Sequence, residues 1–266
     1  ANSVSTELEI DFFNYVWDGI FFQSNVINSD AEFFINLNNG KIHPSVVFEN
    51  AENIFISEKA EIRVGAILDA SKGPIIILDD SIVDSGAIIQ GPAYIGTNCI
   101  INPGAKLRGN ISLGNMCKVG GEIEDAIFQG YSNKQHDGFL GHSYIGEWVN
   151  LGANTNNSDL KNNYGVIKIY LKDEFVETGR EFLGTMVGDY SRTGISTMLN
   201  TGTIIGFGAN IFGGGFQEKN ILSFQWGTND KTDLEKFLVT VEKIKKRRKK
   251  SITGEEIKFI TQLYNK

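Results

Sequence analysis

The sequence is poor in proline, cysteine and histidine, with 4, 2 and 3 of them among 266 residues. Two cysteines cannot form the disulfide framework of a small secreted domain. We interpret Cys99 and Cys117 as small core residues in a reducing compartment, although a disulfide between them is geometrically conceivable. No apolar run could span a membrane, and the N-terminus lacks the charged start and apolar core of a signal peptide. These absences predict a cytoplasmic location and no membrane partner.

The charge of the chain is negative overall but strongly positive at one place. The net charge is −7 and the pI about 5.1, which argues against nucleic acid as a partner. Against this background stands the cationic run from Lys245 to Lys250. A solvated helix end, favoured by the helix dipole, explains such a run. Contact with the phosphates of a ligand, or with a neighbouring subunit, is the alternative.

The strongest pattern is a period of six residues, which fits neither a helix nor an alternating strand. It indicates a hexapeptide β-helix, in which short strands and turns wind around a prism. The aliphatic residues point inward, and the mostly small residues four places later lie where the chain turns. Three hexads form one coil of about 18 residues, and coils stack at roughly the 4.8 Å strand spacing. The inward series is Ile77, Val83, Ile89, Ile95, Ile101, Leu107, Leu113 and Val119.

The hexads divide the chain into three parts. Residues 1–42 carry none and are expected to be a cap over the open end of the prism, or a remnant linker. Residues 43–227 form the β-helix; after Val119 the register slips by two residues and resumes at Phe139, and a loop is expected near 157–186. Residues 228–266 are predicted to be helical, with a capping box from Thr253 to Glu256.

Two of the three histidines lie in one short segment after the slip. His136 is predicted to face outward, with Asn154 beside it on the next coil and Lys134 and Asn150 on the same face. A lone histidine is usually structural, but imidazole is also the side chain best suited to proton transfer near neutral pH. The clustering therefore favours a catalytic role for His136.

This segment resembles the acetyltransferase half of the bifunctional N-acetylglucosamine-1-phosphate uridylyltransferase/glucosamine-1-phosphate N-acetyltransferase family. The resemblance spans roughly residues 43–225. It implies a left-handed parallel β-helix and a homotrimer with active sites between neighbouring prisms. Further similarity lies at Pro103 to Arg108 and at Asn163 to Gly165. The matching positions of the central motif are His136, Phe139, Gly141, Ile145, Gly146, Val149, Asn150, Leu151, Gly152, Ala153 and Thr155.

The resemblance also implies roles for individual residues. His136 would be the general base that takes a proton from the sugar amine as it attacks the thioester of acetyl-CoA. Arg108 would hold the sugar phosphate. The sugar pocket would be lined by Phe139, Asn150, Asn163 and Tyr164, and coenzyme A would be contacted by Ala153 and Asn154. The expected activity is thus N-acetylation of an amino-sugar phosphate resembling glucosamine-1-phosphate, in nucleotide-sugar (UDP-GlcNAc) biosynthesis, with this chain as the C-terminal part of a bifunctional nucleotidylyltransferase.

Three positions depart from the family pattern: Glu124 replaces a lysine, Phe139 a tyrosine and Asn154 a glycine. The glutamate favours an alternative, a non-catalytic β-helix that trimerises or regulates a sugar nucleotidyltransferase. A third hypothesis is a zinc site like that of the β-helical carbonic anhydrases. It is disfavoured because His136 and His142 are six residues apart, hence on neighbouring prism faces. No metal site is therefore predicted.

Overall fold

The computed structural model describes residues 12–37, 40–171 and 174–266, and these form a parallel β-helix of about 10 turns. This confirms the fold class. The prism has three faces, each a stack of short parallel strands. No helix in the described ranges is long and apolar enough to cross a membrane.

Face A starts each coil. Its strands are Lys41–Ile42, Glu61–Ile62, Ile82–Val83, Ile100–Ile101, Lys118–Val119, Asn133–Lys134, Arg192–Thr193, Asn210–Ile211 and Gln225–Trp226, the last closed by Asp230–Lys231. Asn150 bridges the gap between Asn133 and Arg192.

Face B follows across edge AB. Its strands are Val47–Glu49, Ile67–Asp69, Ile88–Gln90, Lys106–Arg108, Asn156–Asn157 and Met198–Leu199, together with the first halves of the long strands Glu122–Gly130 and Phe139–Glu147.

Face C closes the coil across edge BC and returns to face A across edge CA. Its strands are Ile54–Ile56, Ile75–Ile77, Ala93–Ile95, Ile111–Leu113, Thr185–Val187, Thr203–Ile205 and Asn220–Ile221, together with the second halves of the two long strands.

The predicted inward residues fill the prism. All eight aliphatic residues from Ile77 to Val119 are fully buried in one continuous core. Cys99 and Cys117 are buried free thiols on adjacent coils. The coil length changes after Val119, since Lys118 pairs with Asn133 and Asn133 bridges to Asn150. As a result, Leu140 takes the inward place that was predicted for Phe139, and the Phe139 ring lies on the outside.

Edge BC is built without a loop in the two long strands. Three residues with left-handed backbone conformations stack at this edge. Their φ angles are 50° for Asn110, 47° for Asp125 and 44° for His142. Asn, Asp and His are the non-glycine residues that adopt this conformation most readily. A single left-handed residue therefore turns each strand from face B to face C.

The segment between Asn157 and Thr185 leaves the prism at edge BC. It contains an antiparallel hairpin of Lys168–Leu171 with Glu174–Glu177. Helix α1 (Asp18–Asp30) packs with this segment on the outer side of face C, where Trp17 and Ile20 are buried. The sequence had placed the N-terminal part over the open end of the prism; the structure places α1 against the middle of face C instead. A remnant-linker role for residues 1–42, and the predicted domain bounds, stay predictions.

Two C-terminal helices, α2 (Leu234–Lys246) and α3 (Gly254–Tyr264), pack on edge CA. A ladder of aromatic residues projects from that edge, and Phe237 and Ile260 of the helices are buried against it. The predicted capping box is present, because Thr253 accepts from the Glu256 N–H and Glu256 reaches back to Thr253. The ladder consists of Tyr131, Trp148, Tyr190, Phe207 and Phe224.

Candidate functional site

The imidazole of His136 is exposed in the turn that leads from face A to face B. One coil further on, the Asn154 N–H donates to the Asp137 carbonyl at 2.9 Å. Asn133 bridges to Asn150, and Gly138 lies against Thr155, so residues 17 apart are level in these two coils. Asn154 is therefore level with Asp137, and Ala153 is level with His136. The expectation that Asn154 lies beside His136 is wrong by one residue, because the coil here is shorter than 18 residues. Ala153 and His136 thus lie next to each other along edge AB.

Lys134 points into the prism, not outward as the sequence analysis expected. Its side chain is fully buried in the inward place that Val119 occupies one coil earlier. The ammonium donates to the carbonyls of Gly120, His136 and Gly138 at 3.1, 3.0 and 2.7 Å. Burial lowers its pKa to about 8. Two of the three bonds go to the turn that carries His136, so this buried cation fixes the backbone of the candidate base.

Phe139 and Arg108 both face outward on face B. The Phe139 ring is half-buried over Gly141, where an added Cβ would lie 2.6 Å from Phe139 Cζ. Arg108 lies two coils away, and its guanidinium contacts Glu122 at 2.8 Å and Glu124 at 3.1 Å. These carboxylates raise the pKa of Arg108 further and neutralise its charge. An anion bound here would have to compete with both of them.

A second cluster, which was not predicted from the sequence, lies at edge BC. His142 Nδ1 lies 2.8 Å from Asp159 Oδ2, and His142 Nε2 lies 3.7 Å from Asp125 Oδ2. Burial lowers the pKa of His142, but the hydrogen bond to Asp159 and the nearby carboxylates outweigh it and raise the pKa overall. The imidazole side chain is only 14% exposed and lies near the rings of Phe21 and Phe182. The available signal was the spacing, since Asp159 follows His142 by about one coil.

Glu124, His142 and Asp159 also bring three metal-ligand atoms within 4.8 Å of one another. Two of these groups are already engaged, because Glu124 pairs with Arg108 and His142 is hydrogen-bonded to Asp159. A divalent cation would have to break both contacts and lie close to a guanidinium. The arrangement therefore favours a hydrogen-bonded network over a metal centre. His136 and His142 lie on different edges of the prism and do not form a shared site within one chain.

The remaining predicted residues lie elsewhere. Asn150 is exposed on face A, where it lines a cavity with Lys118 and Arg192. Asn163 and Tyr164 belong to the segment that leaves the prism at edge BC; Asn163 accepts from the Gly165 N–H at 3.2 Å, and the Tyr164 side chain is exposed.

The predicted residues are thus divided among the edges and faces of one prism. Those at edge AB are His136, Ala153 and Asn154; those on face B are Arg108 and Phe139; Asn150 is on face A, and Asn163 and Tyr164 are at edge BC.

Comparison with known proteins agrees with the repeat pattern. Residues 74–109 match the family model described as bacterial transferase hexapeptide (six repeats). A bifunctional sugar-1-phosphate nucleotidylyltransferase/acetyltransferase from Sulfurisphaera tokodaii is 33% identical over 152 residues, which cover 56% of this chain and 38% of that protein. The chain therefore spans less than half the length of this relative.

Two further proteins are similar. The acyltransferase for UDP-N-acetylglucosamine from Campylobacter jejuni has a TM-score of 0.45 and 17% identity, covering 84% of this chain and 82% of that one, which supports no inference about the site. An uncharacterised acetyltransferase, YaiX, from Escherichia coli K12 is 30% identical over 168 residues, which cover 61% of this chain and 73% of YaiX. With its β-helix, its hexads and this coverage, the chain belongs to the hexapeptide-repeat transferase family.

Proposed function

We propose that this protein is an acetyl-CoA-dependent N-acetyltransferase whose acceptor is an amino-sugar phosphate of the glucosamine-1-phosphate type. The observation that carries the proposal is the exposed imidazole of His136 beside Ala153 on edge AB, within the segment that resembles such transferases. The names of the relatives support an acetyl group as the cargo. The acceptor class rests on the resemblance around His136.

The chemistry assigned to His136 is general-base catalysis. Its imidazole takes a proton from the acceptor amine while the nitrogen attacks the thioester carbonyl. An N–C bond forms, the C–S bond breaks, and the imidazolium returns the proton to the departing thiolate. Lys134 is a positioning residue in this scheme, since two of its three hydrogen bonds hold the turn from His136 to Gly138.

A homotrimer is part of the proposal. One prism leaves the edge AB residues apart from Asn163 and Tyr164 at edge BC. Packing prisms side by side would let edge AB of one subunit meet another edge of its neighbour. Sedimentation analysis of the intact protein tests this assembly.

The decisive experiment is a thiol-release assay with acetyl-CoA and glucosamine-1-phosphate, run on the wild type, His136→Ala and His142→Ala. The proposal expects sugar-dependent release that falls by about a hundredfold or more in His136→Ala, the typical contribution of a general base. His142→Ala should retain most of the activity. If activity is lost in His142→Ala and retained in His136→Ala, the general base is His142, paired with Asp159, and not His136.

One observation favours the non-catalytic alternative, namely that Arg108 is neutralised by Glu122 and Glu124. A folded trimer that releases no thiol with any amino-sugar phosphate would support that alternative. It would then be a trimerising or regulatory β-helix.

A further inference from the structure

A cavity of about 460 Å³ lies between face A and the end of helix α2. Four cationic side chains line it: Lys118 and Arg192 from the prism, and Arg247 and Arg248 from the segment after α2. Asn150 is part of the same wall, and so is Gln135, the residue before the candidate base. The cavity therefore opens next to the turn that carries the proposed catalytic imidazole.

These four cations are not neutralised. Within residues 12–37, 40–171 and 174–266, none of them has a carboxylate oxygen within 4.0 Å. Arg248 has a polar partner, the Asn133 side-chain oxygen at 2.9 Å, but it is uncharged. Burial, together with the charges of Arg248 and Arg247, lowers the pKa of Lys118. The cations repel one another and share no acid, which is unfavourable unless an anion joins them.

The rest of the cationic run behaves differently. Lys245 pairs with Glu256, and Lys246 pairs with Glu242 at 3.2 Å. Lys245 therefore joins α2 to α3, Lys246 pairs within α2, and Lys249 and Lys250 are exposed to solvent. Of this run, only the two arginines line the cavity.

The cavity also has room for more than a phosphate. Arg192 lines a second cavity, of about 640 Å³, between the last coils and α2. The indole of Trp226 lies in its wall and is 45% exposed. An organic phosphate could place its anionic groups among the arginines and its organic part against this second wall.

We propose that the cavity between face A and helix α2 binds the phosphate groups of an organic phosphate, through Lys118, Arg192 and the two arginines after α2. Arg guanidinium groups suit this task because their planar donors match phosphate oxygens. The cavity offers a phosphate four cations without a carboxylate partner, whereas the charge of Arg108 is neutralised by two glutamates. The identity of the ligand as a substrate rests on the proposed function, but anion binding itself does not.

Two sources of the phosphate share this chemistry: coenzyme A and the sugar phosphate. Titration calorimetry on the full chain with 3′,5′-ADP, which carries two of the phosphates of coenzyme A, and with glucosamine-1-phosphate separates them. Inorganic phosphate serves as the minimal probe. Binding of either organic probe that depends on the cavity arginines supports the proposal. The probe that binds more tightly identifies the source of the phosphate, coenzyme A or the sugar phosphate.

The test variant is Arg192→Gln/Arg248→Gln, and the matched control is Lys249→Gln/Lys250→Gln, which removes the same charge outside the cavity. We expect the first variant to weaken binding by about 30-fold or more and the control by about twofold or less. Arg247→Gln/Arg248→Gln, beyond the end of the helix, repeats the test if the substitution at Arg192 impairs folding. Equal weakening in the variants and the control, or no binding of any probe to the wild type, would overturn the proposal. If the wild type binds 3′,5′-ADP in the cavity but releases no thiol in the assay, the proposed function is overturned and the anion-binding proposal stands.

Discussion

Lys134 offers the sharpest test of how this β-helix stores an unfavourable charge. Its ammonium is buried inside the prism, and its pKa is about 8 instead of the ordinary 10.5. At about 1.4 kcal/mol per pH unit, this costs the folded state about 3 kcal/mol while the ammonium is charged in both states. The chain keeps the cation although a methionine of similar length would fit the core pattern.

The sign of the pH dependence follows from proton binding. Below about pH 8 both the folded and the unfolded states hold the proton, and the full penalty applies. Between about pH 8 and pH 10.5 the unfolded state still holds a proton that the folded state has released, so the free energy of unfolding rises with pH. Lys134→Met removes this contribution. It also leaves three carbonyls without their donor, but that loss does not change with pH.

The assay is urea unfolding at several pH values from about 7 to 10.5, on the wild type and Lys134→Met. The stability of the wild type relative to the variant should rise by about 2–3 kcal/mol across this range, because titrations common to both proteins cancel. Lys106→Met, an exposed lysine on face B, is the matched control and should show no such difference. Parallel wild-type and Lys134→Met curves would refute the reasoning.

The same variant bears on catalysis. Without the bonds from Lys134, the backbone turn that carries the His136 imidazole loses the donor that holds two of its carbonyls. We expect kcat for acetyl transfer to fall in Lys134→Met, with a smaller change in KM for acetyl-CoA. A fall in stability without a change in kcat would show that the bonds serve the fold alone.

Three further predictions concern single side chains. His142→Gln should remove a stabilisation that is full below about pH 6.5 and is lost as the pH rises through the raised pKa of the folded state, so the urea midpoints of wild type and variant should converge as the pH rises above about 6.5; a gap that stays constant with pH would contradict this. Thr253→Ala should lower the free energy of unfolding by about 1 kcal/mol, because the Glu256 N–H loses its cap, whereas Thr253→Ser should not. Glu124→Gln removes one partner of Arg108. If the sugar phosphate binds at the face A cavity, KM for glucosamine-1-phosphate should change by about twofold or less. A marked fall in KM would show that the phosphate binds at Arg108 instead.

The sequence was informative wherever one short period controlled the structure. Every inward aliphatic residue from Ile77 to Val119 is buried as predicted, because each hexad places its own side chain through local geometry. The capping box at Thr253 is equally local. Prediction failed where the coil length changed: Phe139 was placed inward and Lys134 outward, because the hexad pattern does not show which residues shorten a coil.

The sequence by itself therefore determined the β-helix, its approximate extent and the exposed histidine in its most distinctive segment. Only the tertiary structure decided which charges meet. The His142–Asp159 pair depends on where the chain leaves the prism at edge BC, just after Asn157. The cationic cavity depends on α2 bringing Arg247 and Arg248 beside face A, across more than a hundred residues of chain. Such contacts are set by packing between distant parts, for which the hexad period carries no information.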